Sequence, residues 1–228
     1  METTGDQQLV KRINRSVLLR LVRAQGGLSR AQLAVASGLT KSTVSLLVRE
    51  LIDEGWLSET SVTLTSGQGR PSTPLHIDGS TRGLIGVEVA VEALRVVALS
   101  LTGEVLWSLE EPLADTAPER VCRQAAQLVS LACVQLTERK LGLTGIGVGL
   151  PGAFDDTTGV LRFAPNLGWR SVAFVPLIAK ALGEAGVPDV PVHVQNEADT
   201  AALSEYEFAL GDTKDSLIFV SCGAGVGA

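Results

Sequence analysis

The sequence predicts two modules: an α+β module of three helices and a β-hairpin, followed by a larger α/β module. Two observations predict the first. Apolar residues recur at helical spacing in three short segments, and two strand-like segments then flank a glycine-rich turn. The larger α/β module is predicted by three successive strand-like segments, after which helix-like and strand-like segments alternate. We place the boundary so that the modules cover residues 1–78 and 79–228.

Charge is distributed unevenly along the chain. The 228 residues carry 19 Lys and Arg against 25 Asp and Glu, a net charge of −6. Residues 1–80 hold nine basic and seven acidic residues, a net charge of +2. Residues 81–228 hold ten basic and eighteen acidic residues, a net charge of −8. This asymmetry fits a first module that can approach phosphate and an acidic second module. The overall negative charge argues against nucleic-acid binding along the whole chain.

Composition also argues against membrane and metal classes. The most apolar segment, residues 83–101, is interrupted by charged residues, and the chain opens with no apolar run of signal-peptide type. Its cysteines and histidines lack the spacing of a metal site: Cys122, Cys133, Cys222, His76 and His193. We therefore expect a cytoplasmic protein with reduced core thiols, no membrane partner, no metal and no cofactor.

The first two helices are predicted from apolar spacing and from capping residues. The stripe that predicts a helix over residues 8–24 consists of Val10, Ile13, Val17, Leu18 and Leu21. Gly26 and Gly27 end that helix. Ser29 opens the next, and Gln32 three residues later has the spacing of a capping box. Ser37 and Gly38 then make the turn.

The third helix combines an apolar stripe with a polar amino end. Thr40 is its predicted N-cap, and its buried stripe consists of Val44, Leu47, Val48, Leu51 and Ile52. Ser42, Ser45 and Arg49 share the opposite face. A helix amino end offers free N–H groups and partial positive charge to phosphate, and small hydroxyls with a lysine fit the major groove. We therefore expect this end to face DNA, the alternative being a three-helix bundle with a solvated face.

A hairpin follows the third helix, which is the plan of a winged helix-turn-helix. Leu57 begins the first strand, residues 65–71 form a basic tip, and residues 74–77 return as the second strand. Arg70 in the tip suits a narrow minor groove, or alternatively stiffens a linker. The predicted DNA-contacting residues are Ser29, Arg30, Thr40, Lys41, Ser42, Thr43, Ser45, Arg49, Gln68, Gly69, Arg70 and Pro71.

The second module is predicted to begin with three strands and then to alternate. The strands cover residues 83–90, 93–101 and 105–109, the last two joined by a turn at Thr102 and Gly103. The elements predicted after them are helix 118–140, strand 145–150, helix 174–185, strand 191–194, helix 197–210 and strand 216–221. Strand ends followed by glycine turns are where such folds place ligands.

Both modules resemble the ROK family (repressor, open reading frame, kinase) of transcriptional regulators. Two segments resemble the DNA-binding half of these regulators, most closely that of xylose-repressor-like members: NRSVLLRLVRAQGGLSRAQLAVASGLTKSTVSLLVRELIDEGWL and GQGRPSTPL. Three further segments resemble the sugar-binding half of the family: GIGVGLPGAFD, APNLGW and VQNEADTAAL. The resemblance implies an actin-like, ribonuclease-H-like second domain. It also implies operator DNA, a sugar or sugar-derivative effector, repression of carbohydrate-utilisation genes and a homo-oligomer.

The resemblance assigns sugar-binding roles to Asn166, Asn196 and Glu197, and amide and carboxylate groups suit paired sugar hydroxyls. The alternative from the residues alone is that Asn166 satisfies a loop and Glu197 stabilises the first turn of a helix. The family's kinases carry an aspartate as catalytic base where this chain has Glu197. They also carry Asp-x-Gly-Gly-Thr for ATP phosphates where this chain has residues 88–92, EVAVE.

These departures predict a regulator without a catalytic residue. The glycines that let a phosphate approach the backbone are absent, Glu92 repels phosphate, and a base displaced by one methylene is misplaced for transfer. The alternative is a sugar kinase with an added DNA-binding domain. The final residues, SCGAGVGA, resemble the start of the family's second phosphate loop, so we expect an incomplete ROK domain. A third interpretation is a truncated product that acts only as an interaction module.

Overall fold

The computed structural model describes residues 3–60, 73–155, 157–209, 216–222 and 226–227. The chain divides into two compact units, Met1–Thr81 and Arg82–Ala228, each with its own hydrophobic core. The predicted boundary after residue 78 falls just before this division.

The first unit contains three helices and a two-stranded antiparallel sheet. Its elements are α1 (Thr3–Ala24), α2 (Arg30–Ser37), α3 (Lys41–Asp53), β1 (Leu57–Glu59) and β2 (Leu75–Ile77). This is the predicted order. The segment between α1 and α2 joins the sheet, because the Gly27 N–H donates to the Leu75 carbonyl at 3.0 Å and the Leu75 N–H donates to the Leu28 carbonyl at 3.1 Å. The predicted tip, with Gln68, Gly69, Arg70 and Pro71, lies outside the described residues.

The predicted caps of α2 and α3 are confirmed. The Gln32 N–H donates to Ser29 Oγ at 3.3 Å, and the Ser29 N–H donates to Gln32 Oε1 at 2.9 Å, which completes a capping box. Thr40 Oγ1 accepts from the Thr43 N–H at 3.2 Å. Gly38 ends α2 with a φ of 69°, a left-handed conformation that glycine adopts at low cost.

The core of the first unit forms where the three helices meet β1 and β2. Its buried residues are Leu18, Val22, Leu33, Ala34, Val44, Leu47, Val48, Leu51, Leu57 and Leu75, with Ile52 packed against them. The amphipathic pattern of α1 is only partly used. Val10, Ile13 and Val17 are exposed, because the core receives side chains from the last two turns of this 22-residue helix.

The second unit is built around a five-stranded mixed sheet. The strands are β3 (Arg82–Val89), β4 (Ala93–Ser100), β5 (Val105–Pro112), β6 (Gly142–Leu150) and β10 (Val192–Asn196), in the spatial order β10-β6-β3-β4-β5. Strands β3, β6 and β10 are parallel, and β3, β4 and β5 form an antiparallel meander. Helix α4 (Pro118–Glu138) packs on β3 and β4 and against α5 (Phe174–Glu184). The predicted order of these elements is confirmed.

A small antiparallel sheet between β6 and α5 was not predicted. It consists of β7 (Ala153–Asp155), β8 (Val160–Ala164) and β9 (Trp169–Val172), with a 3₁₀ turn at Pro165–Leu167 before the last strand. Strands of three to five residues are too short to show a period of two. This sheet carries the segment that the sequence singled out as APNLGW.

Two predicted elements near the end of the chain need correction. Helix α6 (Glu197–Ser204) ends earlier than residue 210 and continues as a π-helical turn, Glu205–Ala209. The strand predicted over residues 216–221 is wrong over 216–220, where the chain is irregular and Ile218 is 87% exposed. Its run of apolar residues, 217–220, has no neighbouring strand among the described residues, and the ladder there is limited to β11 (Ser221–Cys222) and β12 (Val226–Gly227).

The cysteines behave as structural thiols where they are described. Cys122 lies in the core of the second unit, and burial raises its pKa to about 12, so the thiol stays protonated. Cys133 is half-buried, and burial raises its pKa as well. Among the described residues, no group of three or more His, Cys, Asp and Glu side chains is arranged to hold a metal ion.

No single helix within the described ranges is long and apolar enough to cross a membrane. Helices α2 and α3 reach that length and composition only as a pair, which is bent by 116°.

The capping box of α2 predicts a local loss of stability in Ser29→Ala. The variant leaves the Gln32 N–H without its side-chain acceptor, which costs about 1 kcal/mol. Hydrogen–deuterium exchange of the α2 amides in the full chain measures this as faster exchange. Ser16→Ala is the matched control, because Ser16 is exposed in the middle of α1; α2 exchange as slow in Ser29→Ala as in this control would contradict the prediction.

Candidate functional site

The amino end of α3 is organised by three hydroxyl groups. Thr40 Oγ1 lies 2.9 Å from Ser42 Oγ and 2.8 Å from Thr43 Oγ1, besides accepting the Thr43 N–H. Ser42 is exposed, whereas Thr43 is half-buried. The cluster therefore fixes the first turn of α3, and it leaves Thr40 and Ser42 on the outside.

The outward face of α3 carries positive charge. Lys41 and Arg49 are exposed, and neither forms an ion pair with the described residues. Together with Ser42 they form what we call the α3 face, opposite the buried Val44 and Leu47. Ser45, predicted to share this face, is half-buried at its edge.

Two acidic residues at the carboxyl end of α3, Glu50 and the C-cap Glu54, are paired with basic residues of α1. Lys11 Nζ lies 2.8 Å from Glu50 Oε1, and Arg15 Nη1 lies 3.6 Å from Glu50 Oε2. Arg15 also donates two hydrogen bonds to the Glu54 carboxylate, which raise the pKa of its guanidinium. These pairs hold α1 against α3, and they keep two carboxylates from opposing an anion near the α3 face.

Two of the predicted DNA-contacting residues have structural roles. Ser29 is only 7% exposed, and its hydroxyl donates to Gln32 Oε1 at 2.8 Å, so its side chain serves the cap of α2. Arg30 Nη2 lies 2.9 Å from Glu59 Oε1 and thereby ties α2 to β1. The side chain of Arg30 is 36% exposed, although its Nε is buried without a hydrogen-bond partner among the described residues.

The second candidate site is a cleft of about 1210 Å³ at the carboxyl ends of β3, β6 and β10. The ends of β6 and β10 are paired, since Leu150 lies opposite Asn196. Parallel strands bring their carboxyl ends to one edge of a sheet, which is where open α/β folds bind ligands. All three predicted sugar-binding residues line this cleft: Asn166, Asn196 and Glu197.

Asn196 joins three elements at the floor of the cleft. Its Oδ1 caps α6 by accepting from the Ala198 N–H at 2.7 Å and the Asp199 N–H at 3.3 Å. Its Nδ2 donates to the Gly152 carbonyl at 2.8 Å. Gly152 has a φ of +107°, and a Cβ there would lie 2.2 Å from the Phe163 carbonyl oxygen, so only glycine fits.

Glu197 and Asn166 present polar atoms to the cleft in different ways. Glu197 is the first residue of α6, and its Oε2 is buried without a hydrogen-bond partner among the described residues. Asn166 is exposed on the 3₁₀ turn, which its neighbours Leu167 and Trp169 anchor in the core. Trp169 Nε1 donates to the Thr116 carbonyl, and its ring lies 5.9 Å from that of Phe174. The cleft is thus lined by an exposed amide and by a buried carboxylate oxygen without a described partner, and both suit hydroxyl groups.

An ion-pair cluster that the sequence analysis did not predict lines the same cleft. Arg95 Nε donates to Glu110 Oε2 at 2.7 Å, and its Nη1 donates to Glu88 Oε2 at 3.1 Å. The bond to Glu110 and then that to Glu88 raise the pKa of the guanidinium. Counting residues outward from the Thr102-Gly103 turn pairs Arg95 with Glu110, so the signal was present in the sequence.

The cleft is acidic overall. Among the described residues that line it, the carboxylates belong to Glu88, Glu92, Glu110, Glu197 and Asp199, against one guanidinium from Arg95 that two of them hold. The turn between β3 and β4 is closed tightly, with the Ala90 N–H donating to the Ala93 carbonyl at 2.9 Å. A phosphate would therefore meet side chains and carboxylates at the position of EVAVE.

Comparison with protein families assigns both units. A model described as the ROK family matches residues 84–228. A model described as winged helix-turn-helix DNA-binding matches residues 12–58.

The relatives that match nearly the whole chain include named repressors. A putative xylose repressor of Caldicellulosiruptor sp. (strain Rt8B.4) is 29% identical over 98% of this chain and 55% of its own length. The xylose repressor of Bacillus subtilis (strain 168) is 29% identical over 98% of this chain and 56% of its own. The chain thus spans about half the length of the relatives it matches.

Solved structures agree with this assignment. A ROK family transcriptional regulator, a homologue of the E. coli MLC protein, superposes with a TM-score of 0.71 at 25% identity over 87% of this chain and 49% of its own. A ROK family glucokinase from Streptomyces griseus, with glucose and AMPPNP, gives 0.51 at 26% over 64% of this chain and 43% of its own. The predicted fold class, a winged helix-turn-helix followed by an actin-like ROK domain, is confirmed. The chain belongs to the ROK family.

Proposed function

We propose that the chain is a sequence-specific DNA-binding transcriptional regulator, a repressor whose affinity for its operator responds to a sugar. The observation that carries this proposal is the α3 face, defined by Lys41, Ser42 and Arg49, at the amino end of the third helix of a winged helix-turn-helix. The names of the xylose repressors that match nearly the whole chain support carbohydrate-utilisation genes as targets.

In the proposed complex, α3 enters the major groove with its amino end first. The partial positive charge of the helix end and Lys41 favour phosphate, while Ser42 and Arg49 reach base edges. Ser29, Thr40 and Thr43 act mainly by holding the helix amino ends, because their hydroxyls form the caps. Ser45 contributes less than Ser42, because it is half-buried. The free side of Arg30 meets the DNA backbone.

Residues 68–71, which lie outside the described residues, also contact DNA in this proposal. Gln68, Gly69, Arg70 and Pro71 form a short basic segment in the sequence, and an arginine between glycine and proline suits a narrow minor groove. Phosphate contacts from this segment would add affinity without base preference.

For the second unit, we infer that the cleft binds a sugar. Glu197 Oε2 accepts a ligand hydroxyl that replaces its missing partner, and Asn166 offers both a donor and an acceptor at the rim. Asn196 acts at the floor, where its side chain already holds Gly152 and α6. A sugar shifts the repressor from its operator only if it binds the two states with different affinity.

We further propose that the protein works in the cytoplasm as a homo-oligomer. A dimer of winged helix-turn-helix units would read two half-sites about one helical turn apart. This spacing follows from the geometry of B-DNA and of the fold class.

The alternative function, a sugar kinase with an added DNA-binding domain, is favoured by the ROK glucokinase likeness. Three features weigh against it. The β3–β4 turn lacks glycines, Arg95 is held between Glu88 and Glu110, and the cleft carries an excess of carboxylates. A transferring phosphate needs a cationic and closely fitting site.

The proposed DNA face predicts that Arg49→Ala weakens operator binding. Duplexes enriched from a random library by the full chain supply the operator, and fluorescence anisotropy over a salt series measures the affinity. The loss of one direct base contact lowers affinity by about 10- to 100-fold and relaxes the base preference at the contacted position.

Arg123→Ala is the control for this prediction. It removes the same charge from an exposed position on α4 in the second unit, so any effect of net charge is matched. Equal losses in the two variants would refute the proposed face, and failure to enrich any duplex would refute the DNA-binding function.

The proposed sugar site predicts different effects for two asparagines. Asn166→Ala weakens binding of D-xylose or D-glucose, measured by calorimetry on the full chain, and leaves stability unchanged because the side chain is exposed. Asn196→Ala weakens binding and also destabilises α6 by about 1 to 2 kcal/mol, since a cap and a bond to Gly152 are lost. Exchange rates of the α6 amides separate these effects; heat of binding unchanged in Asn166→Ala would count against the site.

The acidic cleft predicts no phosphoryl transfer. Incubation of the full chain with ATP, Mg²⁺ and a panel of hexoses and pentoses is expected to yield no sugar phosphate above a protein-free control. A ROK glucokinase in the same assay serves as the positive control. Turnover that is lost in Glu197→Gln would favour the kinase alternative.

A further inference from the structure

Leu46 is an exposed apolar residue on the α3 face. Its side chain is 56% exposed, and it comes four residues after Ser42 and three before Arg49. Residues at these spacings lie side by side on one face of a helix. Leu46 therefore lies between the hydroxyl and the guanidinium to which the proposed function gives base contacts.

The surroundings of Leu46 set it apart from an ordinary surface leucine. Single exposed leucines are common in proteins, so exposure alone carries no weight. The other exposed residues of α3 are Lys41, Ser42, Arg49 and Asp53, and all are polar. Leu46 is thus the one apolar side chain on the exposed surface of this described helix, at its centre.

The position of Asp53 limits which part of the face meets DNA. Asp53 is exposed seven residues after Leu46, two turns nearer the carboxyl end, where its charge opposes phosphate. Groove contacts are therefore concentrated between Lys41 and Arg49. Leu46 lies within that stretch, whereas Ser45 is half-buried beside it.

An apolar side chain in the major groove has one matching partner. Of the groups that base pairs present there, the thymine C5-methyl is apolar, and the others are hydrogen-bond donors or acceptors. A leucine placed against a donor or acceptor leaves that group without a partner, which costs affinity.

We propose that Leu46 determines specificity by packing on a thymine methyl in the operator. This inference rests on the proposed DNA-binding function, and it names a base that the α3 face prefers. It gives Leu46 a role that carries no charge, so its contribution does not depend on salt.

The test replaces thymines by uracil, one at a time, in the duplex enriched by the full chain. Uracil lacks only the methyl group. At one thymine in each half-site, the substitution is expected to weaken the wild type about fourfold, the effect of one buried methyl-sized group. Leu46→Ala is expected to bind the thymine duplex more weakly, with an unchanged salt slope, and to show no uracil penalty at that position.

Leu131→Ala is the matched control, because Leu131 is similarly exposed on α4 in the second unit and the chemical change is identical. This variant should keep the full uracil penalty.

The outcomes separate the inference from the proposed function. Enrichment of a duplex with no uracil-sensitive thymine, or with the same penalty in Leu46→Ala as in the wild type, overturns the role of Leu46 and leaves DNA binding intact. Failure to enrich any duplex overturns both.

Discussion

Side-chain caps at two helix amino ends organise both candidate sites. Thr40 closes the first turn of α3 through its own hydroxyl and those of Ser42 and Thr43. Asn196 does the same for α6 and reaches back to Gly152. A helix amino end leaves backbone N–H groups without intrahelical partners, so a cap is needed for the helix to begin at a defined residue. The functional side chains follow directly after each cap, and their directions depend on it.

Helices and their caps could be predicted from the sequence more fully than the pairing of strands. Capping residues and apolar stripes predicted α2 and α3 almost residue by residue, because these signals lie within one turn of the element they specify. The sheet β7–β9 escaped prediction, since its strands are short and depend on partners elsewhere. Residues 216–220 show the converse, a run of apolar residues typical of a strand but without a neighbouring strand among the described residues.

The same distinction applies to the sites. Asn166, Asn196 and Glu197 were predicted from a resemblance and do line one cleft, but their spacing along the chain gave no sign of it. Conversely, Arg95 and Glu110 were predictable from the turn between their strands and were missed. Ser29 is a third case: it was predicted to contact DNA, but its hydroxyl is used in the cap of α2. Pattern alone does not separate a hydroxyl that caps from one that binds.

The candidate sites of the two units differ in charge. In the first, the carboxylates of Glu50 and Glu54 are paired with Lys11 and Arg15, and Lys41 and Arg49 on the exposed surface of α3 outnumber Asp53. In the second, Arg95 is neutralised by two of the five carboxylates, and the cleft stays acidic. An acidic cleft disfavours binding of ATP far more than binding of an uncharged sugar, because the carboxylates repel the negative phosphates of ATP. Among the described residues, the cleft therefore offers more to hydroxyl groups, through Asn166 and the Oε2 of Glu197, than to phosphate.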